Sequence, residues 1–592
     1  VTETSLSQRN KTAEVALAAA LALPLALYAA ASAVSGAWLW GFDTLRYLPA
    51  WAWLLWALPI VALVFAWRGP ERLAERRTPA AVPIAALAAA CLVLAFPDRL
   101  QFVGDFLLRQ GTSEEALSPS TLFPQALPLD VLLHVVLPTW AHGATGVPST
   151  VVSRIVDALE AGGLVALGFA FARRAGLKGR EALACAALAS WGGWVALFTG
   201  YSKAFTEMSL LVLACAVTGV DALRGSARGF FLLCATVAAG FVLHRSAVGF
   251  LPALGLATWC TLRQAAAPAP RGKKSKSKPS PVPAWLPLLL PATMLAIALP
   301  RMIESATTLD TAHFAARGEG FPSMAQNVIS PIHLLDLFNL AFFLVPLALV
   351  ILIPVPRSQR SGPWSAREWL YFVALGAPFW LIALVLRPAQ GVPRDFDVFA
   401  PAGVALGVIA AARLCQLWRA APGTSRFATA ILAGTVVPVL CVLLLQADLA
   451  RGLVRVNALA AGPPKRSESE RARWLEYLGA RYHRAHRYKE AVAEFAQAAA
   501  LAPSPTILAA WGVAARWAGD EESEERAFTM LLETAPADRV AIRVAALTGL
   551  ARIALERGDR LEAAKLVAQA IDLDPQAEDA LSLARRIEAG GP

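Results

Sequence analysis

The chain has 592 residues, of which 57% are hydrophobic and only 16% charged, with a formal net charge of +11. A soluble domain carries closer to a quarter charged residues. Here the apolar residues stand in blocks of about 17 to 22, the length that crosses a bilayer core of ~30 Å, which excludes a large soluble enzyme. The charge is also unevenly placed: residues 463–592 hold 18 Lys/Arg and 20 Asp/Glu, so the positive excess lies in the apolar part, where the positive-inside rule accounts for it without nucleic acid as a partner.

In chain order, thirteen spans are predicted: 13–34, 51–67, 81–96, 151–172, 182–199, 204–222, 229–243, 246–263, 284–303, 336–354, 367–387, 399–416 and 427–447. The first has Arg9 and Lys11 before it and Ala-Ser-Ala near its end, like a signal peptide. Its length and the twelve blocks behind it point instead to an uncleaved helix. Loops 1–12, 68–80, 173–181, 221–228, 264–283, 355–366 and 417–426, with adjoining span ends, hold 24 of the 36 basic residues of this part, including Arg76-Arg77, Arg173-Arg174 and the Lys273–Lys278 run. Basic loops stay in the cytoplasm. The reading is therefore a multi-pass inner-membrane protein with a cytoplasmic N-terminus and, after an odd number of crossings, an external C-terminal part. The stretch from Pro268 to Pro283 reads as a flexible basic linker. All seven cysteines fall in or beside apolar blocks without metal-ligand spacing, and read as small packing residues.

The acidic residues are biased the other way. Sixteen of 23 are assigned to the outer side, among them Asp98, Asp105, Asp130, Glu207, Asp310, Asp336, Asp395 and Asp397. Exclusion of charge from the bilayer explains part of this. It does not explain Lys203, Glu207, His244-Arg245 and Asp130, which stand close to span ends, and ionisable groups at membrane depth point to a site. The outer loop 97–150 contains two amphipathic stretches suited to the membrane surface, with Asp105 in a Gly104-Asp105-Phe106 turn beside Arg109 and Asp130 in a Pro128-Leu129-Asp130 helix start. Loop 304–335 carries Asp310, His313, Arg317 and His333 without the spacing of a metal site. Residues 387–397, RPAQGVPRDFD, bring two arginines and two aspartates to the start of a helix. Asp395 and Asp397 there are candidates to hold a divalent cation such as magnesium or manganese or to orient Arg394, against the alternative of a solvated turn.

After Ala461-Gly462-Pro463-Pro464 the pattern changes. Leu475, Leu478, Gly479, Tyr482, Ala491, Phe495 and Pro503 stand at the spacings of the tetratricopeptide motif, with Leu475 in place of its usual tryptophan. A second copy has Leu508, Trp511, Gly512, Phe528 and Pro536, with Glu524 where a small alanine is expected. A third has Leu550, Ala551, Gly558, Ala563, Val567, Ala570 and Pro575, and residues 577–589 form a capping helix. Small residues let paired helices approach, the aromatics fill between them and proline ends each repeat. The predicted organisation is all-α: a polytopic membrane domain over 1–460, a linker over 461–471, and a repeat α-solenoid over 472–592. Such arrays bind peptides or proteins and carry no chemistry. In the first copy Arg473, Glu476, Arg481 and His483 are left over for a partner.

The membrane part resembles the GT-C superfamily of polyprenyl-phosphate-dependent glycosyltransferases over roughly residues 80–450. The resemblance rests on the acidic outer loop after an early helix, the Thr199–Lys203 segment with Glu207, the His244–Pro252 segment and Gly391–Gly403. With its repeats, the chain is similar in order to the transmembrane-and-tetratricopeptide O-mannosyltransferases. It departs from the family in having two helices before the acidic loop's own helix, where one is usual. The resemblance implies a lipid-phosphate-linked sugar as donor and a carboxylate that deprotonates the acceptor hydroxyl, with Asp105 first and Asp130 second in line. It also implies basic residues for the leaving phosphate, His244, Arg245 and Arg394, with Lys203 and Glu207 among the substrate-binding residues. The acceptor would be a protein, peptide or glycan, held by the repeats. Two other readings fit the same residues: an O-antigen polymerase/ligase-like enzyme that depends on loop 304–335, and a non-catalytic scaffold that displays the repeats to a protein partner.

Overall fold

A computed structural model describes residues 3–68, 81–106, 125–201, 203–266, 283–309, 328–355 and 362–589. Among them every regular element is helical. The chain divides into two compact units, Val1–Gly452 and Leu453–Pro592. The boundary lies eight residues before the predicted end of the membrane part, because the helix Leu449–Ala461 continues, on an amphipathic pattern, where the last apolar block stops.

The first unit is a multi-spanning helix bundle. Seven helices are long and apolar enough to cross a bilayer alone: Lys11–Ala31, Ser149–Arg174, Phe205–Leu223, Leu286–Thr308, Ala366–Val385, Phe396–Ala420 and Pro422–Ala447. Ala52–Arg68, Ala81–Ala95, Ala227–Leu243 and Pro331–Leu344 are shorter, and Gly179–Ser190 bends by 73° into Gly193–Thr199. Hydropathy alone gave these blocks near-equal lengths because it does not register a break in the helix. Close approach depends on small residues, as is usual where lipid supplies no hydrophobic drive between helices. A Cβ on Gly219 would fall 2.1 Å from the Tyr371 hydroxyl, and one on Gly407 would fall 2.7 Å from the Leu188 carbonyl oxygen. Six of the seven cysteines are buried and all are free, including Cys185 and Cys415, whose sulfurs lie 3.4 Å apart.

Contacts at the helix ends fall into two sets. In one, Arg426 meets Glu14 at 2.8 Å, Arg224 meets Glu368 at 2.7 Å and Arg174 pairs with Asp221. Arg419 there donates to the Ala175 carbonyl, Gln264 to Leu223 and Arg413 to Ile353, and Trp67 touches Phe427. In the other set, Trp40 donates to Asp336, Arg154 to the Leu94 carbonyl, Arg245 to Ser305, and the backbone of 98–104 to Thr199, Gln446 and Arg394. The first set belongs to or adjoins the basic loops, the second the remaining loops.

The orientation of those ends is a prediction. In a background lacking Cys91, the one exposed cysteine, a cysteine at exposed Glu533 should react with an impermeant thiol reagent in intact cells. A cysteine at exposed Arg228 should react only after permeabilisation. The reverse pattern would invert the topology.

The second unit is a series of helical hairpins. Glu468–Arg484 pairs with Tyr488–Leu501, Pro505–Ala518 with Glu521–Thr534, and Val540–Glu556 with Arg560–Leu573; Glu578–Glu588 follows. Ser467 and Glu470 form a reciprocal cap at the first helix, and Ser504, Asp520 and Asp559 cap later ones. A Cβ on Gly479 would lie 2.9 Å from the Phe495 ring and one on Gly512 2.7 Å from Phe528, so each glycine makes room for the aromatic of its hairpin. Leu478, Ala491 and Ala563 are fully buried. Tyr482 is only half-buried, with Arg487 4.7 Å over its ring. Pro503, Pro536 and Pro575 each stand two residues beyond the end of a hairpin's second helix. Glu524, the departure from the motif, is buried against Arg552 of the next hairpin.

Candidate active site

A broken helix and three glycines bring the site together. After Ser190 the chain turns at Gly192, where a Cβ would come within 2.0 Å of the Leu344 carbonyl oxygen, into the buried turn Gly193–Thr199. Gly200 follows at φ +112°, its N–H donated to Asp157 at 2.9 Å. This path delivers Tyr201 and Lys203. Opposite them Gly104 sits at φ +44° and donates its N–H to the Arg394 carbonyl at 3.0 Å. A Cβ there would lie 2.4 Å from the Tyr201 hydroxyl and 3.0 Å from Asp397 Oδ2. Only glycine at 104 allows Tyr201 and Asp397 to come this close to the backbone of 102–106.

At the meeting point Lys203 Nζ lies 3.1 Å from Asp105 Oδ2 and 3.3 Å from Asp397 Oδ2. The Tyr201 hydroxyl donates to the same Asp397 oxygen. The Asp397 side chain is 1% exposed, whereas that of Asp105 is 31% exposed. The Arg394 guanidinium stands 5.8 Å over the Phe102 ring. Burial, reinforced by the Asp397 and Asp105 charges and opposed by Arg394 and Lys203, pushes the Asp395 pKa up to about 8. Burial first, then Asp397, pushes the Tyr201 phenol well up, which keeps it a donor.

A second cluster lies along the same chain segment. His134 Nε2 is 3.0 Å from Glu207 Oε1 and 3.7 Å from Asp130 Oδ1, and Thr206 donates to Glu207 Oε2 at 2.8 Å. Glu160 adjoins Glu207, and Asp157 holds the Gly200 amide. The helical run Pro128–Thr145 turns Asp130, His134 and Pro138 inward and leaves Leu132, Val136 and Trp140 exposed. Its polar stripe therefore faces protein and its apolar stripe faces outward.

No protein-family model matches the chain, and no curated protein matches it. Among solved structures it is similar to ArnT from Cupriavidus metallidurans bound to undecaprenyl phosphate, at 14% sequence identity and a TM-score of 0.37, over 78% of this chain and 82% of that one.

The structure unites Asp105, Lys203, Arg394, Asp395 and Asp397. It draws Asp130 and Glu207 into the second cluster instead. His244 caps the short helix Arg245–Phe250 through Ser246 and packs 4.8 Å from the Phe205 ring. Arg245 binds Ser305 at 3.0 Å. His333 is fully buried with its Nε2 2.8 Å from the Leu384 carbonyl oxygen, and Asp336 accepts from Trp40. Arg109, Asp310, His313 and Arg317 lie outside the described residues. Residues 98–105 form no surface helix, because their backbone bonds go to Thr199, Gln446 and Arg394. Among the described residues no three His, Cys, Asp or Glu side chains are arranged to hold a metal ion. An apolar cavity of about 300 Å³ between the helices containing Ala88, Val165, Ala187 and Val436 includes none of these polar groups.

Four residues of the two clusters were not anticipated. Asp157 and Glu160 were legible as acids inside an apolar block, and His134 by its four-residue spacing from Asp130. Tyr201 lies in the Thr199–Lys203 segment that carried the resemblance, but nothing in the sequence tied it to Asp397.

Proposed function

We propose that the membrane unit transfers a sugar from a polyprenyl-phosphate donor to a hydroxyl acceptor at the membrane surface. One observation carries this reading: an accessible carboxylate, Asp105, is held at 3.1 Å by Lys203 at one end of a membrane bundle, with Arg394 joined to the adjacent Gly104. In the proposed step Asp105 takes the proton of the acceptor hydroxyl and that oxygen bonds to the anomeric carbon. The anomeric carbon–phosphate oxygen bond breaks, and the lipid phosphate leaves with the electron pair. Lys203 and Arg394 supply positive charge for that phosphate, Arg394 through a planar fork suited to its oxygens. Buried Asp397, fixed by Tyr201, positions Lys203. The repeat unit is proposed to hold the acceptor or a partner protein.

The test is turnover by the purified full-length protein in lipid nanodiscs, offered polyprenyl-phosphate hexoses. Release of free polyprenyl phosphate by the wild type, and its loss in Lys203→Met, is the expected result. Consumption of nucleotide sugars instead, with lipid-linked sugars untouched, would overturn the reading.

A further inference from the structure

The second unit carries an exposed aromatic face that its packing does not use. Trp517, at the end of Pro505–Ala518, is 63% exposed, and Val513 one turn earlier is 43% exposed. The Trp517 ring lies nearly parallel to that of Tyr488 from the neighbouring hairpin, with centroids 5.8 Å apart and 22° between planes. The His483 ring meets Tyr488 edge-on at 5.3 Å. Exposed His486 places its Nδ1 2.7 Å from the Tyr488 hydroxyl, which fixes the tyrosine ring.

His486 is unusual in a second way. The turns that follow the first helix of each hairpin contain a left-handed residue: Gly519 at φ +69°, Gly558 at φ +85°, and His486 at φ +57°. Glycine is the ordinary choice there, and histidine departs from it. The strained residue is the one that orients the platform.

We propose that this face binds a pyranose ring of a glycan. A pyranose presents a face of C–H bonds and a rim of hydroxyls. The C–H face suits the electron-rich, exposed face of Trp517, which Tyr488 backs, and the hydroxyls suit the exposed imidazole of His486. The Trp517 ring, stacked on a tyrosine that the histidines brace, offers one flat, firmly backed face. A peptide anchor would call for a pocket, and a membrane anchor would not need a ring pinned by a hydrogen bond. The proposal does not depend on the membrane unit being a glycosyltransferase.

Saturation-transfer NMR tests it on the full-length protein in nanodiscs free of glycoside detergents, with methyl β-D-glucopyranoside, methyl α-D-mannopyranoside and N-acetylglucosamine as probes. The wild type should saturate the ring C–H protons of at least one probe. Trp517→Ala should weaken binding about tenfold, and Trp517→Phe should keep most of it. His486→Gly, which restores the residue found in the sibling turns, should fold normally and bind more weakly. Equal signals from wild type and Trp517→Ala, or none from either, overturn the proposal. So does a Trp517→Ala protein that keeps its sugar signals and loses a co-purifying protein.

Discussion

Asp105→Asn should lower sugar transfer by about 10²- to 10⁴-fold, the usual worth of a positioned general base, and leave the membrane unit folded. The amide keeps the shape of the side chain and can still accept from Lys203, but it cannot take a proton from a hydroxyl. Because the side chain is 31% exposed and is held by a lysine that also binds Asp397 at 3.3 Å, the loss of one charge leaves Lys203 with a partner. Asp397→Asn makes the contrast. That side chain is buried, and its Oδ2 receives both Tyr201 and Lys203. Its loss should lower the unfolding temperature together with activity. Turnover of a polyprenyl-phosphate hexose and thermal unfolding, measured on both variants, separate the two roles. Wild-type turnover from Asp105→Asn would remove it as the base.

The helical class and the apolar spans were legible because they follow from hydrophobic block length. The site was legible in part. Asp105, Lys203, Arg394 and Asp397 could be nominated one by one as ionisable residues beside apolar blocks. Their convergence could not, because it depends on Gly104 and Gly200 adopting left-handed conformations and on the 73° break before Gly193. None of these leaves a mark on hydropathy. Glu207 was grouped with Lys203 because it lies four residues on. The helical segment Phe205–Leu223 begins between them, and His134 from the distant run Pro128–Thr145 claims its carboxylate. That partner comes from a tertiary contact, which sequence proximity does not report.

Glu524 shows the same effect in the repeats, and its partner gives the second large prediction. The position takes alanine in the sibling copies, Ala491 and Ala563, both fully buried. Here a glutamate 4% exposed reaches Arg552, 12% exposed, in the next hairpin. Arg552→Met should cost about 3–5 kcal/mol, because it strands a buried carboxylate. Glu524→Ala should cost less, since Arg552 keeps Glu556 at 2.6 Å. The double variant Glu524→Ala/Arg552→Met should return close to wild type, since neither charge remains to be desolvated. Acidity adds a sign. Burial holds the Glu524 pKa above its ordinary value even against Arg552, and removing the arginine raises it further. A carboxyl whose folded pKa exceeds its unfolded one stabilises the fold when protonated and loses that contribution as pH rises through the folded value. The Arg552→Met deficit should therefore be largest at neutral pH and shrink toward the ordinary glutamate pKa. Hydrogen exchange in Glu521–Thr534 and Val540–Glu556 measures it locally, in the full chain. A deficit that does not change with pH, or a double variant as unstable as Arg552→Met, would mean that Arg552 acts by packing its aliphatic stem and not by charge.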